Sequence, residues 1–360
     1  AEIDASTPVQ SGHDPASGAT VCSSSPTITF STDENARCRW SLSDQAYGSM
    51  SSGNTCDSSY TTSHSCGTSG LSGAPETVYI ACTDDTDVSA NADTVSSNTH
   101  LIYTIDTSAP VVTITGIGGD TSSPYSTSDT TPIVTATTDE TADCRASLYD
   151  ETYSAMSNDI DCSGDGTSSH SCQFGTISEQ SAEYFYVSCQ DTCGNQNSAA
   201  NNEQAAAEID ASTPVQSSHN PASGSTIKTT SQTITFSTDE NARCRWSLSD
   251  QAYGSMSSGN TCDAGFLTSH SCSTSGLSQG SEIVYIACTD DTDVSANADT
   301  IASNTHISYT VDTTNPSTSI TSPSAGSWQR NDFQVTYSDS DSESGLDTCY
   351  YRILDSGTPT

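Results

Sequence analysis

The chain has 360 residues, with 45 Asp and Glu against 8 Lys and Arg, a net charge of −37 and a pI near 4.1. That balance excludes nucleic acid and anionic membrane surfaces as partners and makes cations the natural ones. Only 32% of residues are hydrophobic and no apolar run is long enough to span a bilayer, so the expectation is three to four domains with thin cores and no membrane insertion.

Fifteen cysteines supply the brace that such cores need, and they place the chain in an oxidising, secreted or cell-surface setting. The N-terminus shows no basic and hydrophobic signal segment, so secretion is inferred from the cysteines alone. Ala1-Glu2-Ile3-Asp4-Ala5-Ser6-Thr7-Pro8 recurs at Ala207 to Pro214, an offset of 206, and residues 27–57 return unchanged at 233–263. A fixed period of this kind decides the architecture before any local pattern does. The unit is itself double, because four cysteines recur in each half: Cys38, Cys56, Cys66, Cys82, then Cys144, Cys162, Cys172, Cys189, then Cys244, Cys262, Cys272, Cys288. Ile3-Asp4, Ile105-Asp106, Ile209-Asp210 and Val311-Asp312 mark the junctions. Residues 1–4 are therefore expected to end a preceding repeat, with repeats at 5–106, 107–210 and 211–312 and part of a fourth at 313–360, where Cys349 stands as the first cysteine.

In chain order, the first repeat shows period-2 alternation at Ile28 and Phe30, at Cys38, Trp40 and Leu42, at Val78, Ile80 and Cys82, and at Leu101, Tyr103 and Ile105. Ser, Gly and Asn-rich turns separate these segments, and no stretch holds an amphipathic helical pattern. They read as strands B, C, F and G of an all-β sandwich, with strand A at residues 111–115 of the second repeat. Cys38 opens C and Cys82 closes F, antiparallel neighbours in a sandwich, so Cys38–Cys82 should pair and Cys56–Cys66 then closes a local loop. The same reasoning pairs Cys144–Cys189, Cys162–Cys172, Cys244–Cys288 and Cys262–Cys272. On the chain-entropy model the long bridge is worth roughly 4 kcal/mol and the short one roughly 3 kcal/mol.

His64, His170 and His270 each precede a cysteine in a Ser-His-Ser-Cys setting, which raises zinc as an alternative. The secreted context and the even repetition favour disulfides, and the histidines read as loop residues. Cys22 and Cys193 fall outside the framework, with Lys228 replacing Cys22 in the third repeat. They either pair, with each other or with neighbouring repeats, or stand unpaired; the sequence leaves both readings open.

The junctions Ile105-Asp106-Thr107-Ser108-Ala109-Pro110 and Val311-Asp312-Thr313-Thr314-Asn315-Pro316, Thr321-Ser322-Pro323 with Gly326, and Val187-Ser188-Cys189-Gln190-Asp191 before Gly194-Asn195 give the chain its likeness to a family. It resembles the tandem bacterial immunoglobulin-like repeats of surface adhesins, stalks and extracellular filaments. The resemblance implies an elongated array of immunoglobulin-like or fibronectin-III-like sandwiches that serves as a rod, in some members with calcium between domains. Its cysteine density departs from that pattern.

In such a sandwich the entering linker, the B–C loop and the F–G loop share one end. The acids at those places are Asp4, Asp33, Glu34, Asp84 and Asp85; Asp106, Asp139, Glu140 and Asp191; and Asp210, Asp239, Glu240, Asp290 and Asp291. Converging carboxylates suit Ca²⁺, which takes roughly six to eight oxygen ligands, whereas scattered surface acids would only keep the protein soluble. A weaker candidate, Asp85, Asp87, Ser89, Asn91 and Asp93, alternates oxygens like an EF-hand start but lacks its Gly and closing Glu. Its third-repeat counterpart is Asp291, Asp293, Asn297 and Asp299. Arg37, Arg39, Arg243 and Arg245 point away from the core, toward acidic loops or an acidic neighbouring chain.

No nucleophile–base motif or Gly-rich phosphate loop stands out, and every acid cluster recurs with the repeat, so no enzyme is expected. The leading reading is a non-catalytic structural component of an extracellular fibre or cell-surface stalk. The alternative is an adhesin that recognises a glycan or host protein through loops such as residues 58–61. Expected partners are other copies of the chain, in a filament or bundle and with a donated strand completing the fourth domain, or further repeats of a longer chain. There is no Asn-x-Ser/Thr sequon with a permitted middle residue, so any O-glycans would sit on Ser and Thr.

Overall fold

The computed structural model describes residues 6–73, 75–85, 91–291, 296–327, 329–342, 345–346 and 348–351. The protein is all-β and divides into two compact units. The first comprises Ala1–Gly116, Ile133–Phe174 and Tyr184–Ala206; the second comprises Ile117–Pro132, Gly175–Glu183 and Ala207–Thr360.

The first repeat contributes β1 (Gln10–Asp14), β2 (Thr20–Val21), β3 (Thr27–Ser41), β4 (Thr61–Gly67), β5 (Glu76–Asp84) and β6 (Thr99–Ile105). Their hydrogen-bonded order is β1-β3-β5-β6-β2, with β4 also on β3. β1 and β4 pair with the N-terminal half of β3, and β5 with its C-terminal half. The short β2 runs parallel to β6, with Val21 opposite Ile105. An N-terminal segment split between both layers, with its second part parallel to the last strand, is the immunoglobulin-like arrangement. Ile28, Phe30, Trp40, Leu71, Val78, Ile80, Leu101 and Tyr103 form the buried cluster between the layers.

The expected strands B and C prove to be one strand. Ser31-Thr32-Asp33-Glu34-Asn35 has the composition of a turn, yet inward alternation continues through it: Ile28, Phe30, Thr32, Ala36, Cys38 and Trp40 are all buried. Thr32 can fill an inward position because its hydroxyl donates to the Glu34 carbonyl at 2.7 Å, while its oxygen meets His64 Nε2 at 2.8 Å. Pairing shifts register between Ser31 and Ala36, where the strand leaves one layer for the other. The acids assigned to a B–C loop, Asp33 and Glu34, Asp139 and Glu140, and Asp239 and Glu240, thus lie inside 15-residue strands.

In the second repeat, β7 (Val112–Ile117), β8 (Tyr125–Thr127), β9 (Ile133–Ser147), β10 (Ile160–Asp161), β11 (Thr167–Gln173), β12 (Gln180–Asp191) and β13 (Glu203–Ile209) follow the same plan. In the first unit β9 pairs with β10, β11 and the end of β12; in the second unit Tyr125–Thr127 runs parallel to Ala207–Ile209. Ala136 and Ala146 replace Phe30 and Trp40, and Phe174 meets Phe185 edge-on at 4.9 Å. The third repeat restates the first as β14 (Gln216–Asn220), β15 (Ser225–Ile227), β16 (Thr233–Ser247), β17 (Leu267–Ser273), β18 (Gly280–Asp290) and β19 (Thr305–Val311), ordered β14-β16-β18-β19-β15 with β17 on β16. β20 (Ser317–Ser322) and β21 (Thr336–Ser340) then form an antiparallel pair.

Cys38 faces Cys82 across β3 and β5 with Cα atoms 4.1 Å apart, the close spacing of a non-hydrogen-bonded antiparallel pair. Their disulfide lies within one layer. Cys56 donates its N–H to the Cys38 carbonyl at 2.9 Å, whereas Cys66 sits on β4 opposite Ile28, so the Cys56–Cys66 bond links the two halves of the sandwich. Cys144–Cys189, Cys162–Cys172, Cys244–Cys288 and Cys262–Cys272 are bonded in the same positions. Cys349 is free and exposed.

The histidines assigned to loops are buried strand residues. His64 on β4 stacks on Phe30 and turns Nδ1 to Asp57 and Nε2 to Thr32; His270 does the same with Phe236, Asp263 at 2.6 Å and Thr238 at 2.9 Å. His170 keeps Thr138 at 3.1 Å, but Ser163 stands in the aspartate's place and Nδ1 has no hydrogen-bond partner. The missed strand hides behind polar residues: Ser63, Ser65 and Thr62 point to solvent while His64 and Cys66 supply the inward alternation. A Thr–His–Asp constellation suggests a nucleophile relay, which requires the hydroxyl proton to pass to the ring. Here that proton is committed to the Glu34 carbonyl and Thr32 is buried, so the network satisfies polar groups in the core.

Candidate cation sites

Each acid cluster is assembled from three segments. In the first unit Asp106 follows β6 and is held by its N–H to the Val21 carbonyl at 3.0 Å; Glu140 lies on the inward row of β9; Asp191 ends β12 and is buried. Asn195 closes the group, donating from its backbone and side chain to Asp191 at 2.9 and 2.7 Å and reaching Asp106 Oδ1 at 3.4 Å. In the second unit one ligand atom each from Asp210, Glu240 and Asp290 lies within 4.8 Å of the others. Asn297 donates to both oxygens of Asp290, at 2.9 and 2.7 Å, and to the Asp210 carbonyl at 2.8 Å. The first repeat has Asn91 on buried Asp84 in the same way, with Glu34 half-buried on β3. Asp4 lies outside the described residues.

The gathered charge raises the glutamates. Burial, then the charges of Asp106, Asp191 and Asp139, lift Glu140 to about 7. Burial, then the hydrogen bond and charge of Asp210 and the charges of Asp290 and Asp239, lift Glu240 to about 8. These are the costs of placing like charges together with too little water to screen them.

The remaining assigned acids stand outside these groups of three. The carboxylates of Asp33, Asp139 and Asp239 accept the N–H groups of Val9, Val111 and Val215 at 2.7, 2.8 and 2.7 Å, anchoring the first strand of each repeat beside its long strand. Asp85 and Asp291 are exposed beyond the ends of β5 and β18. In the EF-hand-like run, Asp87, Ser89 and Asp293 fall outside the described residues. Asp93 and Asp299 are buried and accept the Cys82 and Cys288 N–H groups at 2.8 Å, so they face back onto β5 and β18. Among the described residues the four arginines expected to meet acidic loops have aromatic and carbonyl partners. Arg37 and Arg243 stack on Tyr60 and Phe266, and Arg39 and Arg245 stack on Tyr47 and Tyr253 while donating to nearby carbonyls.

Cys22 and Cys193 are bonded to each other. Cys193 Sγ lies within 4.8 Å of the nearest carboxylate oxygens of Asp106 and Asp191, but as half of a disulfide it is no thiolate ligand. The donors that remain are hard oxygens, the ligand type of cations such as Ca²⁺ and Mg²⁺. Asn91 and Asn297 were expected in an EF-hand-like run and Asn195 only as part of the family likeness; the structure instead puts each on its strand-end aspartate, a role signalled in the sequence by their recurrence a few residues beyond it.

No family model matches this sequence, and no curated protein matches it. Among solved structures the chain is similar to a titin fragment of three immunoglobulin domains, at 9% identity and a TM-score of 0.33, covering 86% of this chain and 99% of that one. A second titin tandem gives 10% identity, a TM-score of 0.29 and coverage of 82% and 95%. The N-terminal eight immunoglobulin domains of Down Syndrome Cell Adhesion Molecule give 10%, 0.27, and coverage of 86% and 36%. The assignment of tandem immunoglobulin-like repeats rests on the strand order of the chain itself.

Proposed function

We propose that this chain is a non-catalytic, load-bearing segment of an extracellular fibre or bacterial cell-surface stalk, braced by disulfides within its repeats and stiffened by Ca²⁺ at its acid clusters. One observation carries the reading: an aspartate that leaves one repeat meets acids of the next, Asp210 with Glu240 and Asp290 within 4.8 Å, and Asp106 with Asp191 within the same distance and with Glu140 through a side-chain hydrogen bond. A dication bound by Asp106, Glu140 and Asp191, or by Asp210, Glu240 and Asp290, would relieve their mutual repulsion and tie the linker to the repeat that follows it. Carboxylates held together without a counter-ion make the linker the weak point of the array. Seven disulfides agree with an oxidising compartment, and a net charge of −37 keeps such an array soluble.

Isothermal titration of the chelator-treated chain with CaCl₂, together with calorimetric melting and small-angle scattering with and without the ion, tests this. The expected result is saturable binding, a raised melting temperature and a narrower distribution of chain dimensions. No heat of binding and unchanged melting would remove calcium from the account.

A further inference from the structure

The disulfide between Cys22 and Cys193 joins residues 171 apart in sequence, inside the first compact unit. Cys22 directly follows Val21, the residue whose carbonyl holds the Asp106 N–H. Cys193 sits between Asp191 and Asn195, the two groups that complete the cluster from the other repeat. The bond therefore ties the end of β2, whose Val21 carbonyl holds the Asp106 N–H, to the loop that follows Asp191 at the end of β12. At the Asp210, Glu240 and Asp290 cluster, Thr127 holds the Asp210 N–H in the role of Val21, but Ser128 follows it and residues 291–297 contain no cysteine. Carboxylates there are brought together by non-covalent contacts and the linker alone.

Bringing like charges together costs free energy, and a cross-link that already enforces the arrangement removes part of that cost from cation binding. We propose that the Cys22–Cys193 disulfide is a redox lock on the cation site of Asp106, Glu140 and Asp191, an inference that rests on the calcium reading above. Oxidised, the lock holds Asp106 and Asp191 in ligand positions. Reduction by a dithiol moves two electrons and two protons to the disulfide, leaving Cys22 and Cys193 as thiols and the reductant as its own disulfide; the loop is released and the site weakens. Coupling is reciprocal, so whatever factor oxidation adds to calcium affinity, bound calcium adds to the stability of the disulfide. Each tenfold of coupling shifts the midpoint of the bond by about 30 mV toward negative potential.

The test equilibrates the full chain in dithiothreitol redox buffers with CaCl₂ or with chelator. Alkylation and peptide mass spectrometry then read Cys22 and Cys193 separately from Cys38 and Cys82, while titration calorimetry records calcium binding. The proposal expects the Cys22–Cys193 midpoint to move by at least about 30 mV with calcium, which is a tenfold coupling. Cys38–Cys82 should stay in place, and Asp106→Asn should abolish the shift. Calcium binding with an unmoved midpoint, or a shift that persists in Asp106→Asn, overturns the lock and leaves the calcium reading standing. Absence of binding in the calorimeter overturns both.

Discussion

Replacing Cys38 and Cys82 together with alanine removes a bond whose ends are 44 residues apart and whose side chains are almost wholly buried. Loop-closure entropy for that separation is worth about 4 kcal/mol at 25 °C, a large part of the roughly 5–15 kcal/mol available to a domain of this size. Alanine keeps the inward face apolar, so the change reports the cross-link and a small cavity, with no buried hydroxyl added. Amide exchange is the suitable assay because it resolves one repeat inside the intact chain. Residues 27–57 and 233–263 are identical and yield indistinguishable peptides, but β5 and β18 differ at Thr77 and Ile283 and can be told apart. Exchange across β5 should accelerate by about three orders of magnitude, since roughly 1.4 kcal/mol corresponds to a factor of ten. β18 serves as the internal control. An acceleration below about tenfold in β5, or an equal one in β18, would refute the claim that this bond carries its own repeat.

Glu240 predicts a pH dependence of definite sign: its carboxyl is raised from 4.5 to about 8, so the folded state holds a proton that the unfolded chain releases. That contribution to stability is complete below the unfolded value and lost as pH rises through about 8, so calorimetry in chelator should show the third repeat melting lower across this window. Glu240→Gln or added calcium should flatten the slope, and a wild-type profile already flat in chelator contradicts the cluster's charge balance. Asp57→Ala leaves His64 Nδ1 facing no acceptor inside the sandwich, at a cost of about 1–3 kcal/mol. Exchange across β5 should accelerate accordingly, and an unchanged rate would mean that the ring finds another partner.

The repeat period, the cysteine spacing and the alternation around Cys38 and Cys82 were legible because covalent and hydrophobic signals are local. Cys38 and Cys82 announce themselves by recurring at one spacing on two apolar stretches, and antiparallel neighbours then follow from the sandwich. Residues 31–35 were misread because Ser, Thr, Asp and Asn favour turns as isolated residues. What makes them strand is a partner distant in sequence: Thr32 is acceptable inside only because His64 and the Glu34 carbonyl satisfy it. The histidine strands were hidden for the same reason, their inward alternation being carried by one imidazole and one cysteine among hydroxyls.

The acids divide along the same line. That Asp106, Glu140 and Asp191 recur as a set was visible in the sequence, but which carboxylates face one another was not. Asp139, beside Glu140 in the chain, points the other way and holds the Val111 N–H, because neighbours on a strand face opposite sides. Sequence by itself determined that this is a repeated, disulfide-braced and strongly acidic β protein, since those properties depend on residue identity and period. Only the tertiary structure decided that Cys22 finds Cys193 and that their bond abuts the carboxylates, because 171 residues of chain separate the partners and nothing but the fold brings them together.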